Sequence, residues 1–293
     1  MIKTENLTKT FDRGKIKAVD GLNLEVKEGE IFGFLGPNGA GKTTTIRMLM
    51  GFIRPTEGRA SVFGLDCQKS RVEIMKKVGY LAGDVKLYDR YSGEYLTKFL
   101  AAFYGGLNKE WVKELTERLD IDLKRRVSDL SKGNRQKIGV LQALSGKPKL
   151  LILDEPTGGL DPLIQIEFNK IIQEMIKEGT TIFMSSHILS EVEKICDRVA
   201  ILKEGKLIAL KSVEELSQAK TRIVEIFFRQ AYRPQDFKLP GVEIKLQEEK
   251  YLQLYLTGEV NQIIKILGQY DISDVHFNEP NLEEVFLKYY QGE

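Results

Sequence analysis

The sequence predicts an α/β fold built on a mainly parallel sheet, and three observations carry that prediction. Three short apolar runs, IFGFL (31–35), LLIL (150–153) and TTIFM (180–184), are each followed by a turn or a polar cluster. Too short for helices, they read as strands buried on both faces. Helical patterns lie between them. The clearest follows Asp161 and Pro162, a favourable N-cap and first-turn pair, and keeps Ile164, Phe168, Ile171, Ile172 and Met175 on one apolar face until Gly179. Third, a glycine-rich stretch, GPNGAGKT (36–43), stands between the first run and the helical TTTIRMLM.

Residues 84–146 break the alternation, with helical stretches such as EYLTKFLAAFY and no clear strand; they read as a helical insertion into the α/β domain. AILKEGKLIAL (200–210) reads as two strands joined at Glu204-Gly205. Around residues 211–221 the pattern resets, dividing the chain into a domain at 1–211 and a small α+β domain at 212–293. In the second, RIVEIFF, VEIKLQ, YLQLYL and DVHF read as strands, and NQIIKILG and NLEEVFLKYY as helices. Leu282, Val285, Phe286 and Tyr289 in the last segment have helical spacing and are expected to bury against that domain's own sheet.

The bulk numbers exclude several function classes. With 293 residues, 42% hydrophobic and 29% charged, the chain is ordinary for a soluble globular protein. A net charge of +2 gives no electrostatic case for a nucleic-acid partner. Cys67 and Cys196 lie far apart and form no zinc spacing, which fits two reduced thiols. No run reaches the roughly 20 apolar residues of a membrane helix, and MIKTENLTKTF lacks the apolar stretch of a secretory signal. The expectation is a cytoplasmic chain that meets a membrane only through a partner.

GPNGAGKT fits G-x-x-x-x-G-K-[ST] in the strand-then-helix context that gives the pattern its mechanism. Gly36, Gly39 and Gly41 permit backbone angles that aim N–H groups of the loop, which also holds Pro37, Asn38 and Ala40, at a phosphate. Lys42 adds a point charge for β and γ phosphates; Thr43 offers a hydroxyl to Mg²⁺, with Thr44 beside it. LLILDEPT (150–157) delivers Asp154 to the sheet edge as a Mg²⁺-binding acid, and Glu155 to polarise an attacking water. His187 ends the third run, placed to hydrogen-bond a γ-phosphate or that water, whereas His276 has no such context. In LSKGNRQKIG (130–139), Ser131 reads as an N-cap before a helix carrying Ile138, Leu141 and Leu144. Such a start suits an anion.

The phosphate loop, LSKGNRQ (130–136), LILDEP (151–156), GLD (159–161) and a histidine at 187 occur in the order of an ABC-type ATPase subunit, and the match covers residues 1 to about 210. The chain resembles that family, specifically the exporter branch whose permease is a separate membrane protein. The resemblance implies ATP and Mg²⁺ as cofactors, and Lys42, Glu155 and His187 as the residues of catalysis. It implies Phe11 as an aromatic that stacks on adenine, the alternative being a core phenylalanine of the first strand. Ser131 and Gly133 would bind the γ-phosphate of ATP held by a second subunit, in a homodimer that closes on two ATP molecules. Asp161 would belong to the loop that couples the two sites.

Two departures stand out. The commonest signature is LSGGQ, and Lys132 and Asn134 here replace its first glycine and its glutamine; Ser131 and Gly133 remain. A glutamine usual to the family's Mg²⁺-contacting loop is absent from VGYLAGDVKLYD (78–89), where Gly83 takes its place and Asp84 follows. Either Asp84 assumes part of that role as a metal ligand or coupling relies on other contacts. Tyr88, Tyr91 and Tyr95 follow in the presumed permease-facing region, either as a docking surface or packed within the insertion. The function implied is an ATP-hydrolysing subunit that powers an exporter. The alternative is a soluble ABC-type ATPase acting on ribosomes or DNA. A single phosphate loop, no heptad run and the modest charge weigh against it. Intact Glu155 and His187 weigh against a module that binds ATP without turnover.

Overall fold

In the computed structural model the chain forms two compact units divided between Lys211 and Ser212; residues 1–101, 108–218, 221–257 and 260–278 are described. The first unit opens with β1 (Ile2–Phe11) and β2 (Ile16–Val26), then β3 (Ile31–Leu35), α1 (Lys42–Leu49), β4 (Glu57–Val62), β5 (Leu65–Asp66), α2 (Arg71–Met75) and β6 (Val78–Leu81). Helices α3 (Gly93–Ala101), α4 (Lys109–Arg118) and α5 (Lys132–Leu144) follow. The unit then alternates through β7 (Leu150–Asp154), α6 (Pro162–Lys177), β8 (Thr181–Ser186), α7 (Leu189–Ile195), β9 (Arg198–Lys203) and β10 (Lys206–Ser212).

The expected parallel sheet is present, with order β10-β9-β3-β8-β7-β6 and parallel pairing from β9 through β6. Every residue of β3, β7 and β8 is buried, which is why apolar runs fill β3 and all of β7 and β8 but their polar ends. A second, antiparallel sheet, β2-β1-β4-β5, has no such run to announce it. In β2 only alternate residues such as Leu22, Leu24 and Val26 are buried, as one-sided burial requires. Leu7, Leu22 and Leu24 of this sheet share one core cluster with Phe32, Phe34 and Phe183 of the parallel sheet and with Ile46, Met48 and Leu49 of α1.

Asp154 pairs in register with Ser185, and Leu35 with Ser186. The three adjacent strands therefore end level, and the loops that leave them share one edge.

Among the described residues of 84–146 there are helices, as expected, and one isolated bridge, between Ser92 and Arg126. Asn108 caps α4 by accepting from the N–H groups of Glu110 (3.0 Å) and Trp111 (3.1 Å). Trp111 Nε1 donates to the carbonyl of Leu144 at 3.1 Å, tying α4 to the end of α5. Arg118 ties α4 to α6: its Nε donates to Glu167 at 2.7 Å, and Nη1 and Nη2 grip both oxygens of Glu174 at 2.5 and 2.9 Å. The two-pronged fork is the geometry in which an arginine–carboxylate pair is strongest.

The second unit comprises α8 (Val213–Gln218), β11 (Thr221–Phe228), β12 (Val242–Gln247), β13 (Tyr251–Thr257), α9 (Val260–Leu267) and β14 (Ile272–Asn278). Its antiparallel sheet has the order β12-β13-β11-β14. Val224, Ile226, Leu252 and Leu254 form one core with Phe237 and with Ile263 and Leu267 of α9. On alternate positions Glu225 accepts from Tyr251 at 2.8 Å and Asn278 at 2.7 Å, and burial followed by that carboxylate pushes the Tyr251 phenol up to about 12. The helix expected at NLEEVFLKYY lies outside the described residues.

Arg118→Met should cost about 1–2 kcal/mol, discounted for the partial exposure of Glu174, and lower the Tm by a few degrees. The Arg118 hydrogen bonds hold the Glu174 and Glu167 carboxyls below their ordinary value of 4.5. Because the shift is downward, the difference between wild type and variant should be complete at neutral pH. It should shrink as pH falls below that value, as thermal melts across a pH series would show.

Candidate functional site

The phosphate loop leaves β3 at Leu35 and closes on α1 at Lys42. Gly41 caps the helix at φ +102°, and a Cβ there would lie 2.4 Å from the carbonyl oxygen of Ala18. Gly36 serves a different need: its φ is ordinary, but a Cβ would fall 2.7 Å from the Leu202 carbonyl. Neighbouring strands thus press on the loop from two sides. Ala40 accepts from the N–H of Gly205 at 3.1 Å, and Ala40 N–H donates to Pro37 at 3.1 Å. Phe11 ends β1 opposite Ile16, two residues short of Ala18. It is 42% exposed, with Lys9 Nζ 5.2 Å from its ring centre, so it is not a core phenylalanine.

Lys42 is 5% exposed, and its ammonium donates to the carbonyls of Gly36 (2.7 Å) and Pro37 (3.2 Å). The same Nζ lies 3.4 Å from Glu155 Oε1, and His187 Nδ1 lies 3.2 Å from that oxygen. The three expected residues of catalysis therefore meet at one carboxylate. Asp154, 1% exposed, accepts from Thr43 Oγ1 at 2.7 Å on one oxygen and from Ser185 Oγ at 2.5 Å on the other. Ser185 Oγ in turn accepts from the Glu155 N–H at 3.1 Å. Glu155 sits at φ +50°, a left-handed conformation uncommon for a residue with a side chain.

A cleft of about 460 Å³ opens beside this cluster, lined by Asn38, Thr43, Arg47, Tyr80, Asp84, Asp154 and Glu155 among others. Burial, then the Asp154 carboxylate, holds the Tyr80 phenol above its ordinary value. Gly83 faces Asp154 closely: a Cβ there would lie 3.3 Å from Oδ2, so a longer side chain at this place would reach the same carboxylate. Asp84 is on the rim, its side chain 80% exposed and 3.5 Å from Lys86 Nζ.

Ser131 caps α5, accepting from the Asn134 N–H at 3.3 Å. Arg135 and Lys137 of this helix reach back to Leu130 and Asp120, and other contacts run to the loop at 156–161. A Cβ on Gly133 would lie 2.6 Å from the Gly159 carbonyl; Gln136 Nε2 donates to Pro156 at 3.1 Å; Lys137 Nζ lies 3.8 Å from Asp161 Oδ2. Asp161 also caps α6, accepting from the Ile164 N–H at 3.1 Å. Gly133, Gln136 and Lys137 thus meet the 156–161 loop, and the hydrogen bonds of the described residues do not carry Ser131 or Gly133 to Lys42.

Sequence reasoning passed over Ser185, Gln136, Lys137 and Glu191. Ser185 and Ser186 form a polar break at the end of an apolar run, and Glu191 stands four residues after His187, in the first turn of α7; both are weak signals that acquire meaning only beside Asp154 and Glu155.

A strand-to-helix phosphate loop, a buried acid meeting its hydroxyl, and a glutamate and histidine beside them define a P-loop nucleoside triphosphatase. The family described as ABC transporter matches residues 19–158. Over an alignment of 302 positions that spans all of this chain and 98% of the relative, the chain is 36% identical to the bacitracin transport ATP-binding protein BcrA of Bacillus licheniformis. A solved ATP-binding subunit of an ABC transporter is 27% identical with a TM-score of 0.67, covering 74% of this chain and 92% of that one. The cassette MJ0796, solved as a dimer with ADP and Pi, shares the fold at 23% identity and a TM-score of 0.67, covering 73% of this chain and 99% of its own. The chain belongs to the ATP-binding subunits of ABC transporters. Its activity is ATP hydrolysis coupled to transport.

Gly133→Ala must displace the Gly159 carbonyl, at a cost of about 1–3 kcal/mol, whereas Ser131→Ala removes a single long cap bond, about 1 kcal/mol or less. Thermal unfolding should rank the glycine variant as the less stable. Equal melting would show that the 156–161 loop yields freely.

Proposed function

We propose that the chain powers an exporter as a homodimer, each copy closing over an ATP bound by the other and acting on a separate membrane permease. The observation that carries this reading is the division of the site. Lys42, Glu155 and His187 converge on one oxygen, while Ser131 caps α5 and Gly133, two residues on, lies against the 156–161 loop. A second subunit would bring that helix start to the γ-phosphate. The match to a bacitracin transport protein along the whole chain, second unit included, supports the exporter branch. Among the described residues no helix is long and apolar enough to cross a membrane, which agrees with a permease on another chain and a location at the membrane surface. Tyr91 and Tyr95 stack at 4.4 Å and Tyr88 meets Tyr91 edge-on at 6.4 Å. All three are exposed, as a docking surface for that permease requires.

The loop N–H groups and Lys42 would hold the β and γ phosphates, with Phe11 against adenine and Thr44 next along the helix start. Thr43 and Asp154 place two hard oxygens 2.7 Å apart, a pair that fits Mg²⁺, which takes one or two protein oxygens and completes its shell with phosphate and water. Mg²⁺ held there would neutralise charge on the phosphates, with Asp84 an outer partner through water. Glu155 would accept a proton from the attacking water. An Nδ1–H of His187 donated to Glu155 leaves Nε2 to accept from the attacking water, and with both ring nitrogens protonated Nε2–H would donate to the γ-phosphate. Asp161 would pass changes at one site to the signature segment beside it.

Lys42→Ala should weaken ATP binding by about 100-fold or more, measured by titration with a fluorescent nucleotide. Glu155→Gln should bind ATP, lose about 100-fold or more in turnover and elute as a dimer with ATP and Mg²⁺. A monomer under those conditions would overturn the shared site. Purified from detergent-solubilised cells in that state, the variant should carry a polytopic membrane protein; ribosomes or nucleic acid in its place would overturn the transport coupling proposed here.

A further inference from the structure

Glu191 has no place in the chemistry described above, yet it is hydrogen-bonded to both sides of it. Its Oε1 accepts from Thr157 Oγ1 at 2.7 Å and its Oε2 from Ser186 Oγ at 2.7 Å. Thr157 lies two residues after Glu155, where the chain leaves β7. Ser186 is the residue before His187, at the end of β8. Both hydroxyl residues are buried, at 7% and 1% exposure. Ser186 Oγ also accepts from the N–H of Ile188 at 2.9 Å, so the residues on either side of His187 are tied to one oxygen. That oxygen has one proton to give, and the Glu191 carboxylate at 2.7 Å outcompetes the Ile188 carbonyl at 3.2 Å for it.

We propose that Glu191 is a positioning residue for ATP hydrolysis, a carboxylate bridge that keeps the loops carrying Glu155 and His187 level with each other. Those two residues follow different strands and meet at 3.2 Å between their side chains, and the last backbone bond between the strands is from the Glu155 N–H to the Ser185 carbonyl at 3.2 Å. Beyond that bond the Thr157–Glu191–Ser186 bridge carries the cross-link on to the loops themselves. A carboxylate is suited to it because both partners arrive as donors and need two acceptors; an amide offers one. The inference rests on the roles given to Glu155 and His187 above, and adds the residue through which their separation is set.

The test uses the purified full chain and four variants: Glu191→Ala, Glu191→Gln, His187→Ala and the double variant Glu191→Ala/His187→Ala. Steady-state ATP hydrolysis, fluorescent-nucleotide affinity and thermal unfolding are measured on each. Glu191→Ala should lower kcat roughly 10- to 100-fold with nucleotide affinity within about twofold of wild type. Glu191→Gln, keeping one bond of the two, should recover a large part of that loss. The double variant should be no slower than His187→Ala alone, since a residue acting through His187 has nothing left to position. Multiplying losses in the double variant, or wild-type kcat in Glu191→Ala, would overturn the bridge while leaving His187 in its role. Wild-type kcat in His187→Ala would remove that role and the bridge with it. If Glu191→Ala does not fold, Thr157→Val, which deletes one hydroxyl and preserves shape, replaces it: a several-fold lower kcat in that variant supports the bridge and an unchanged kcat overturns it.

Discussion

A carboxylate buried at the end of an apolar strand is the constraint on which the site depends. Asp154 is 1% exposed and follows four aliphatic residues; unpaired there, it would cost several kcal/mol. Its two oxygens are satisfied by Ser185 and Thr43. The first bond requires β8 to lie level with β7, and the second requires the first turn of α1 to sit over the same strand end. Strand register and the seat of the phosphate loop are thus set by one group's need for partners. Glu155 is placed by the same group at one remove, through the Ser185 hydroxyl that receives its N–H.

Lys42 shows the complementary economy of charge. Almost fully buried, its ammonium is held by two loop carbonyls and by Glu155. On the proposed reading a nucleotide does not meet a bare cation; its phosphates exchange places with these partners. Nucleotide affinity is then a difference between two well-satisfied states, and arrival of phosphate frees the Glu155 carboxylate for its own work.

Much of the parallel sheet was legible because its strands are buried on both faces, leaving IFGFL, LLIL and TTIFM with no polar interruption. The caps were legible for a local reason: Ser131 and Asp161 act on N–H groups three residues ahead. The turn at Glu204-Gly205 is as local, with φ of +49° and +80°. The antiparallel sheet of the first unit was not legible, since its one-sided burial dilutes the apolar signal and its central pairing, β1 with β4, crosses a long stretch of chain. Within the site, Lys42, Thr43, Asp154, Glu155 and His187 announce themselves by type and setting. Ser185, Gln136 and Glu191 do not, because their meaning is a distance to something remote in sequence: Thr157 and Glu191 are 34 residues apart.

Gly133, Gln136 and Lys137 fasten the start of α5 to the loop that follows Glu155 within the same chain. In a pair of the proposed kind, each copy then serves as a working part of its own pocket and of its neighbour's, with one stiff piece of backbone reaching into both. The genetic consequence is dominance. A copy damaged in this piece, but still able to pair, would spoil both pockets of every mixed assembly it enters, so that cells expressing equal amounts of sound and damaged chains would keep only the quarter of their transporters that drew two sound copies.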